Sequence, residues 1–144
     1  MTAVLVIFAL LLQSKVRFGA ICGMAFLRLQ VVCIAGGRAV EDYAYWVKVP
    51  KDNGYGICVM SRLALSDITV REVGTEGVPS VRAGVTLRSG ARLRLYVIHP
   101  EPPVIHHDTK GRDSEIAHVG MEAARDPLPA IVTGDLNDVA WSST

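Results

Sequence analysis

The 144-residue sequence lacks the cysteine spacing that disulfide frameworks and structural zinc sites need. Its three cysteines, Cys22, Cys33 and Cys58, form no CxxC pair, and no histidine stands at a zinc-site distance from them. We therefore interpret them as small apolar residues. The formal net charge of +1 indicates no particular kind of partner, and no internal repeat or low-complexity stretch is present. The length allows one domain with a core but not two.

Residues 1–40 contain no acidic residue, and their four basic residues give this segment a charge of +4. The rest of the chain holds the other 11 basic residues and all 14 acidic residues, which gives a charge of −3. We therefore predict two parts: an apolar N-terminal arm over residues 1–40 and a domain over residues 41–144.

No apolar run in the arm is well suited to cross a membrane. Residues 3–12 are continuously apolar, but a helix of that length rises about 15 Å, half of a ~30 Å hydrocarbon core. Residues 18–37 are long enough, but Arg28 near their middle costs about 2.5–3.5 kcal/mol on insertion. A signal peptide is not indicated, because no basic segment precedes the run. Two interpretations stay open: the arm associates with a membrane, or it forms core helices of a domain that continues elsewhere, in which case we expect a cytoplasmic protein.

Strand patterns begin after residue 41. Residues 45–50 alternate in polarity until Pro50, which predicts a short strand. Residues 55–61 are apolar at odd and even positions alike, which predicts a strand covered on both faces. Residues 80–100 contain two alternating runs joined by Ser89-Gly90, which predicts a hairpin with its arginines on the wetter face. That face lacks interleaved stacking aromatics, so we prefer a solvated surface to a nucleic-acid patch.

The last part of the chain predicts a helix followed by a buried strand. Residues 112–126 repeat apolar positions at helical spacing, with Asp113 and Glu115 expected in the first turn, where the helix dipole favours acids. An apolar strand over residues 129–134 follows. The order of hairpin, crossover helix and strand predicts a mixed sheet with helices packed on it, an α/β or α+β sandwich.

A polar cluster, Asp135, Asn137 and Asp138, ends that strand. Sites in α/β folds lie at the C-terminal ends of strands, which favours a functional cluster. From spacing alone, the alternative that the aspartates cap the next turn stays open. His99 ends the second arm of the hairpin. It alternates in step with the inward-facing residues, so we expect its side chain to face inward.

The loop after the hairpin contains adjacent histidines followed by an acid, His106, His107 and Asp108. This run suggests a metal site. A metal site needs ligands that converge from several elements, however, and neighbours on one loop do not converge. We therefore interpret these side chains as solvated.

The segment "IVTGDLNDVAWS" resembles the G-D-x-N signature of the endonuclease/exonuclease/phosphatase superfamily. Further blocks in the order of that family are "GYGICVMSR" (54–62), "LYVIHPEPP" (95–103) and the helix before the G-D-x-N strand. Together they cover residues 45–144. The resemblance implies a partial DNase I-like α/β sandwich with a mixed, mostly antiparallel sheet.

The resemblance also implies roles for single residues. His99 corresponds to a histidine beside the scissile phosphate, acting as general acid or phosphate ligand. Asp135 corresponds to the acid that orients or deprotonates the attacking water and lies near the metal, and Asn137 to the amide that binds the phosphoryl oxygens. Tyr55 either faces the phosphate or is a core tyrosine. A carboxylate and amide site suits Mg²⁺ or Mn²⁺.

The implied activity is divalent-metal-dependent hydrolysis of a phosphodiester or phosphomonoester. Nucleic acids, phospholipids and inositol phosphates are substrates within the superfamily. The family's metal-binding glutamate with its asparagine motif is not found in residues 1–44, and its closing Asp-His pair has no counterpart before Thr144. We therefore expect a truncated member with impaired catalysis. The alternative is a non-catalytic membrane-associated remnant or partner-binding fragment.

Overall fold

The computed structural model describes residues 4–6, 29–34, 40–53, 55–102 and 109–137. Over these ranges the chain forms two β-sheets and one α-helix. In chain order the elements are β1 (Val4–Val6), β2 (Leu29–Ile34), a 3-10 helix (Val40–Asp42), β3 (Tyr45–Val49), β4 (Gly56–Ser61), β5 (Ala64–Glu72), β6 (Pro79–Thr86), β7 (Arg92–Ile98), α1 (Lys110–Arg125) and β8 (Ala130–Gly134).

Both sheets combine parallel and antiparallel pairs. The larger sheet has the order β1-β8-β7-β6-β5, with β8 parallel to both of its neighbours and β6 antiparallel to both β5 and β7. The smaller sheet has the order β2-β4-β3, and its β2–β4 pair is parallel. The predicted hairpin is the β6–β7 pair, and α1 is the predicted crossover that makes β8 parallel to β7. The predicted α/β fold with a mixed sheet, consistent with a partial DNase I-like sandwich, is confirmed.

Parts of the N-terminal arm are strands. Val4 in β1 pairs with Ala130 in β8, and Leu29 in β2 pairs with Gly56 in β4. The prediction of helices is therefore wrong for residues 4–6 and 29–34. Short apolar runs suit a buried strand as well as a buried helix, so periodicity could not separate the two. Within the described ranges, no helix is both long and apolar enough to cross a membrane.

The main apolar core lies between the two sheets. It is formed by inward-facing residues of β3, β4, β6 and β7: Val47, Ile57, Val59, Val81, Val85, Leu95 and Val97. The opposite face of β4 is covered as well, because Cys58 and Met60 pack with Tyr43 and Trp46. Every residue of β4 is consequently buried, as predicted for a strand covered on both faces.

Helix α1 covers the outer face of the larger sheet. Its Val119 and Ala123 are fully buried against Tyr96, Ile98 and neighbouring residues of β8. The arginine face of the hairpin is therefore the wetter one only in part: Arg88 and Arg92 are exposed, but Arg94 is buried beneath the helix end. Strand alternation shows that two faces differ, but it does not show that the more polar face meets water rather than a helix.

Arginines on this covered face are paired with a carboxylate that follows the helix. Asp126 accepts hydrogen bonds from Arg94 Nε at 3.0 Å, Arg82 Nη2 at 3.1 Å and the Tyr96 hydroxyl at 2.9 Å. Arg94 is only 8% exposed. Buried charges in proteins are paired and hydrogen-bonded, which is the arrangement found here.

Glu115 also departs from its prediction. Because α1 begins at Lys110, Glu115 lies beyond the first turn, and it is 1% exposed. It packs against the backbone of Gly74, where an added Cβ would lie 3.0 Å from the Glu115 Cβ. Burial, with a smaller contribution from the charge of Glu101, raises the pKa of Glu115 to about 7.

Candidate functional site

The ends of two adjacent parallel strands define the candidate site. Strands β7 and β8 pair in register through Ile98 and Gly134. The next residues, His99 and Asp135, therefore leave the sheet at the same edge. This register brings together two residues to which the family resemblance assigns roles at a phosphate.

Gly134 is the residue that allows the strand ends to approach so closely. Its φ of +138° lies in a region that side-chain-bearing residues rarely adopt. A Cβ at this position would lie 1.8 Å from the carbonyl oxygen of Ile98. Only glycine therefore fits between β7 and Asp135.

A turn over residues 135–137 fixes the asparagine. The backbone N–H of Asn137 donates to Asp135 Oδ1 at 3.1 Å, and the side-chain Nδ2 donates to the carbonyl of Pro100 at 2.7 Å. Asn137 has a φ of +50°, which asparagine tolerates better than most residues. Because an amide nitrogen carries two hydrogens, the residues that the structure describes leave one N–H of Asn137 for a ligand. The asparagine thus links the segment after β7 to the segment after β8.

His99 is half-buried at this edge. Burial lowers its pKa below the usual 6.5, and the charge of Asp135 opposes the shift in part. Its Nδ1 is buried and has no hydrogen-bond partner within the described part of the chain. At neutral pH the imidazole is therefore neutral, with one nitrogen that the described residues leave unsatisfied.

Tyr55 reaches the same place from the smaller sheet. It lies immediately before β4, and its ring meets that of His99 edge-on, with centroids 5.7 Å apart and an interplanar angle of 63°. Burial raises the pKa of Tyr55, and the charge of Glu101 adds to this effect. Tyr55 is half-buried, so it lies beside His99 at the edge of the core.

Other predicted residues lie outside the described residues. These are Asp138 of the polar cluster and the loop residues His106, His107 and Asp108. Their predicted roles stay predictions.

One contact of the site has no signal in the sequence. Arg112, in the first turn of α1, donates from Nη1 to the carbonyl oxygen of Asn137 at 2.9 Å. The residue lies 25 positions before its partner, and its neighbours in sequence indicate only the start of a helix. Long-range hydrogen bonds to a backbone carbonyl depend on tertiary packing that a sequence pattern does not encode.

The donor set at this edge is compatible with a weakly held hard cation. Among the residues that the structure describes, no three His, Cys, Asp or Glu side chains gather as a metal cluster. Asp135 supplies one carboxylate, and Asn137 supplies an amide oxygen. Mg²⁺ is commonly bound by one or two carboxylates together with waters and substrate phosphates. The residues therefore fit a metal that is held jointly with a phosphate ligand.

A family model described as the Endonuclease/Exonuclease/phosphatase family matches residues 10–144 of the chain. The match includes all three predicted site positions at the strand ends, as well as most of the apolar arm. No curated protein and no solved structure matches the chain.

Proposed function

The chain belongs to the endonuclease/exonuclease/phosphatase family, and on this premise we propose that it binds a phosphate ester at the shared end of β7 and β8 and hydrolyses it. The family's general chemistry is metal-dependent cleavage of phosphate esters. The observation that carries the proposal is the pairing of Ile98 with Gly134, which aligns His99 with Asp135 at one sheet edge.

Asp135 is the proposed general base. Its Oδ1 already accepts the Asn137 N–H, which fixes the orientation of the carboxylate. The second oxygen then orients a water and takes its proton as the water attacks phosphorus. General-base catalysis by a positioned carboxylate contributes roughly 10²–10⁴-fold to a rate.

His99 and Asn137 are the proposed phosphate ligands. A neutral imidazole donates one hydrogen bond, and the lowered pKa favours this role over that of general acid, because a general acid must be protonated at the working pH. The remaining amide N–H of Asn137 supplies a second donor. Tyr55 holds the imidazole edge-on and limits access of water to that side of the ring.

The proposed cofactor is Mg²⁺ or Mn²⁺, with Asp135 as the protein carboxylate that holds it. When bound, such an ion neutralises negative charge that develops on the phosphoryl oxygens in the transition state. A single carboxylate predicts that the metal binds weakly in the absence of phosphate and more tightly in its presence.

The proposed substrate is defined by its phosphoryl group. Nucleic acids, phospholipids and inositol phosphates share that group, and the contacts described above are made to it alone. Association of the arm with a membrane stays a proposal that would favour a phospholipid. A panel of DNA, RNA, phospholipid vesicles and inositol phosphates distinguishes these sources.

The decisive assay uses 4-nitrophenyl esters of phosphate with Mg²⁺ or Mn²⁺, comparing wild type with Asp135→Ala. We expect metal-dependent turnover that chelation abolishes and that the substitution lowers by roughly 10²–10⁴-fold. Asp67→Ala is the matched control, because Asp67 is an exposed aspartate on the distant strand β5. Absence of metal-dependent turnover, or equal turnover in Asp135→Ala, would contradict the proposal.

A second candidate is a non-catalytic phosphate-binding or partner-binding protein. The small number of metal-binding side chains favours this candidate, since Asp135 is the single carboxylate that the described residues place directly at the strand ends. This candidate predicts binding of inorganic phosphate without any turnover. The same assay, run beside a phosphate titration, separates the two functions.

A further inference from the structure

Arg112 is an arginine in the first turn of a helix, yet it is only 5% exposed. Its Nε donates to Asp113 Oδ1 at 2.9 Å, and its Nη1 donates to the Asn137 carbonyl at 2.9 Å. The Asp113 carboxylate is itself more than one third exposed, whereas the bond to the Asn137 carbonyl joins the buried guanidinium to the site.

The Asn137 carbonyl is the part of the turn that the other contacts do not hold. The Asn137 N–H is fixed by Asp135, and its side chain is fixed by the carbonyl of Pro100. Neither of these two bonds uses the Asn137 carbonyl. Arg112 supplies a third bond, which holds this carbonyl and with it the left-handed backbone of Asn137.

We infer that Arg112 is a positioning residue of the phosphate-ester site, holding the Asn137 peptide so that the Asn137 amide stays directed between the ends of β7 and β8. The expected effect of Arg112 on catalysis rests on the proposed function. The guanidinium is suited to this role because its planar fork bonds an acid and a carbonyl at the same time. Helix α1 thereby sets the geometry of a site that lies on strand ends.

The test compares three variants of the full chain. Arg112→Met keeps the aliphatic stem and removes every donor, whereas Arg112→Lys keeps one charged donor without the fork. Arg125→Met makes the same chemical change at an exposed position in the last turn of the same helix, and it serves as the matched control.

The first readout is hydrogen exchange of the Asn137 backbone N–H, measured by NMR. We expect Arg112→Met to raise the exchange rate of this N–H by about tenfold or more. The rate in Arg112→Lys should lie between those of Arg112→Met and wild type, and Arg125→Met should leave it unchanged. The amide of Val97, in the core strand β7, reports global stability and is expected to change far less. Equal protection of Asn137 in Arg112→Met and wild type, or an equal rise at Asn137 and Val97, would overturn the inference.

The second readout is a double-mutant comparison with Asn137→Gly, which removes the amide and tolerates the positive φ. If Arg112 acts through the asparagine, Arg112→Met lowers kcat by about tenfold in wild type and by less than about twofold in Asn137→Gly. An equal loss in both backgrounds contradicts positioning. If wild type shows no metal-dependent turnover, the proposed function fails, and the exchange experiment alone decides the positioning contact.

Discussion

Strand β8 has an aspartate beyond each of its ends, and the two carboxylates have opposite surroundings. Asp126, before the strand, is 6% exposed and accepts hydrogen bonds from two arginines, from Tyr96 and from the backbone N–H of Leu128. Asp135, after the strand, is half-buried. Among the described residues, the Asn137 N–H is the one hydrogen-bond donor that Asp135 engages.

The comparison shows that two residues of one type differ in how many donors hold them, which separates the structural acid Asp126 from the proposed base Asp135. Burial alone would raise the pKa of Asp126, but its bonds from Leu128, Tyr96 and Arg94 and the charge of Arg94 together lower it. This carboxylate stays ionised and joins the end of α1 to the sheet. Over the part of the chain that the structure describes, Asp135 keeps an oxygen available for a ligand.

The first prediction substitutes the two aspartates in the same way. Asp126→Asn removes the carboxylate that lies 3.0 Å from the buried Arg94 Nε and leaves the longer ion pair with Asp67, at 3.9 Å, so we expect it to lower the free energy of unfolding by about 4 kcal/mol. Asp135→Asn retains an acceptor for the Asn137 N–H and is expected to change it by less than about 0.5 kcal/mol. Urea denaturation of both variants measures the difference. Equal losses of stability would remove the distinction between the two ends of β8.

The second prediction concerns the close approach of β7 and β8. Gly134→Ala places a Cβ against the Ile98 carbonyl at an unfavourable φ, and we expect a loss of about 3 kcal/mol in unfolding free energy. Gly120→Ala is the control, because nothing lies within 4 Å of its added Cβ on α1. That variant is expected to gain up to about 1 kcal/mol. A tolerated Gly134→Ala would contradict the close approach.

The third prediction uses the buried acid of α1. Because the pKa of Glu115 rises from 4.5 to about 7, the folded state retains a proton that the unfolded state releases. Its contribution to stability is complete below pH 4.5 and is lost as the pH rises to about 7. The loss is on the order of 3 kcal/mol at most.

Glu115→Gln removes this dependence, so the variant should gain stability relative to wild type between pH 4.5 and 7. His99 is present in both proteins, and its titration therefore largely cancels in the difference. Glu76→Gln, at an exposed position, is the control. Parallel pH profiles of Glu115→Gln and wild type would show that the buried carboxyl does not hold the proton.

The elements with long regular patterns could be predicted from the sequence. The β6–β7 hairpin alternates without interruption on both arms, and β4 is apolar on both parities. The assignment of His99 and Asp135 to one site came from the family resemblance, and the crossover by α1 explains why the C-terminal ends of β7 and β8 lie at one edge.

Elements with irregular patterns were missed. Strand β5 contains a bulge between Ser66 and Thr69, with Asp67 at a φ of +49°, so its alternation changes phase midway. The burial of Arg94 and Glu115 was missed for another reason. Each is polar in sequence, and only the packing of α1 on the sheet, and of the backbone at Gly74 on α1, removes it from water.

The central claim is that His99 and Asn137 contact one phosphate at the shared end of β7 and β8. A titration of ¹⁵N-labelled protein with inorganic phosphate, in the presence of Mg²⁺, tests it directly. We expect the His99 ring signals and the Asn137 side-chain amide to shift together with a single dissociation constant, and the exposed Arg88 to stay unchanged. Shifts at exposed arginines alone, or different dissociation constants for His99 and Asn137, would contradict the account.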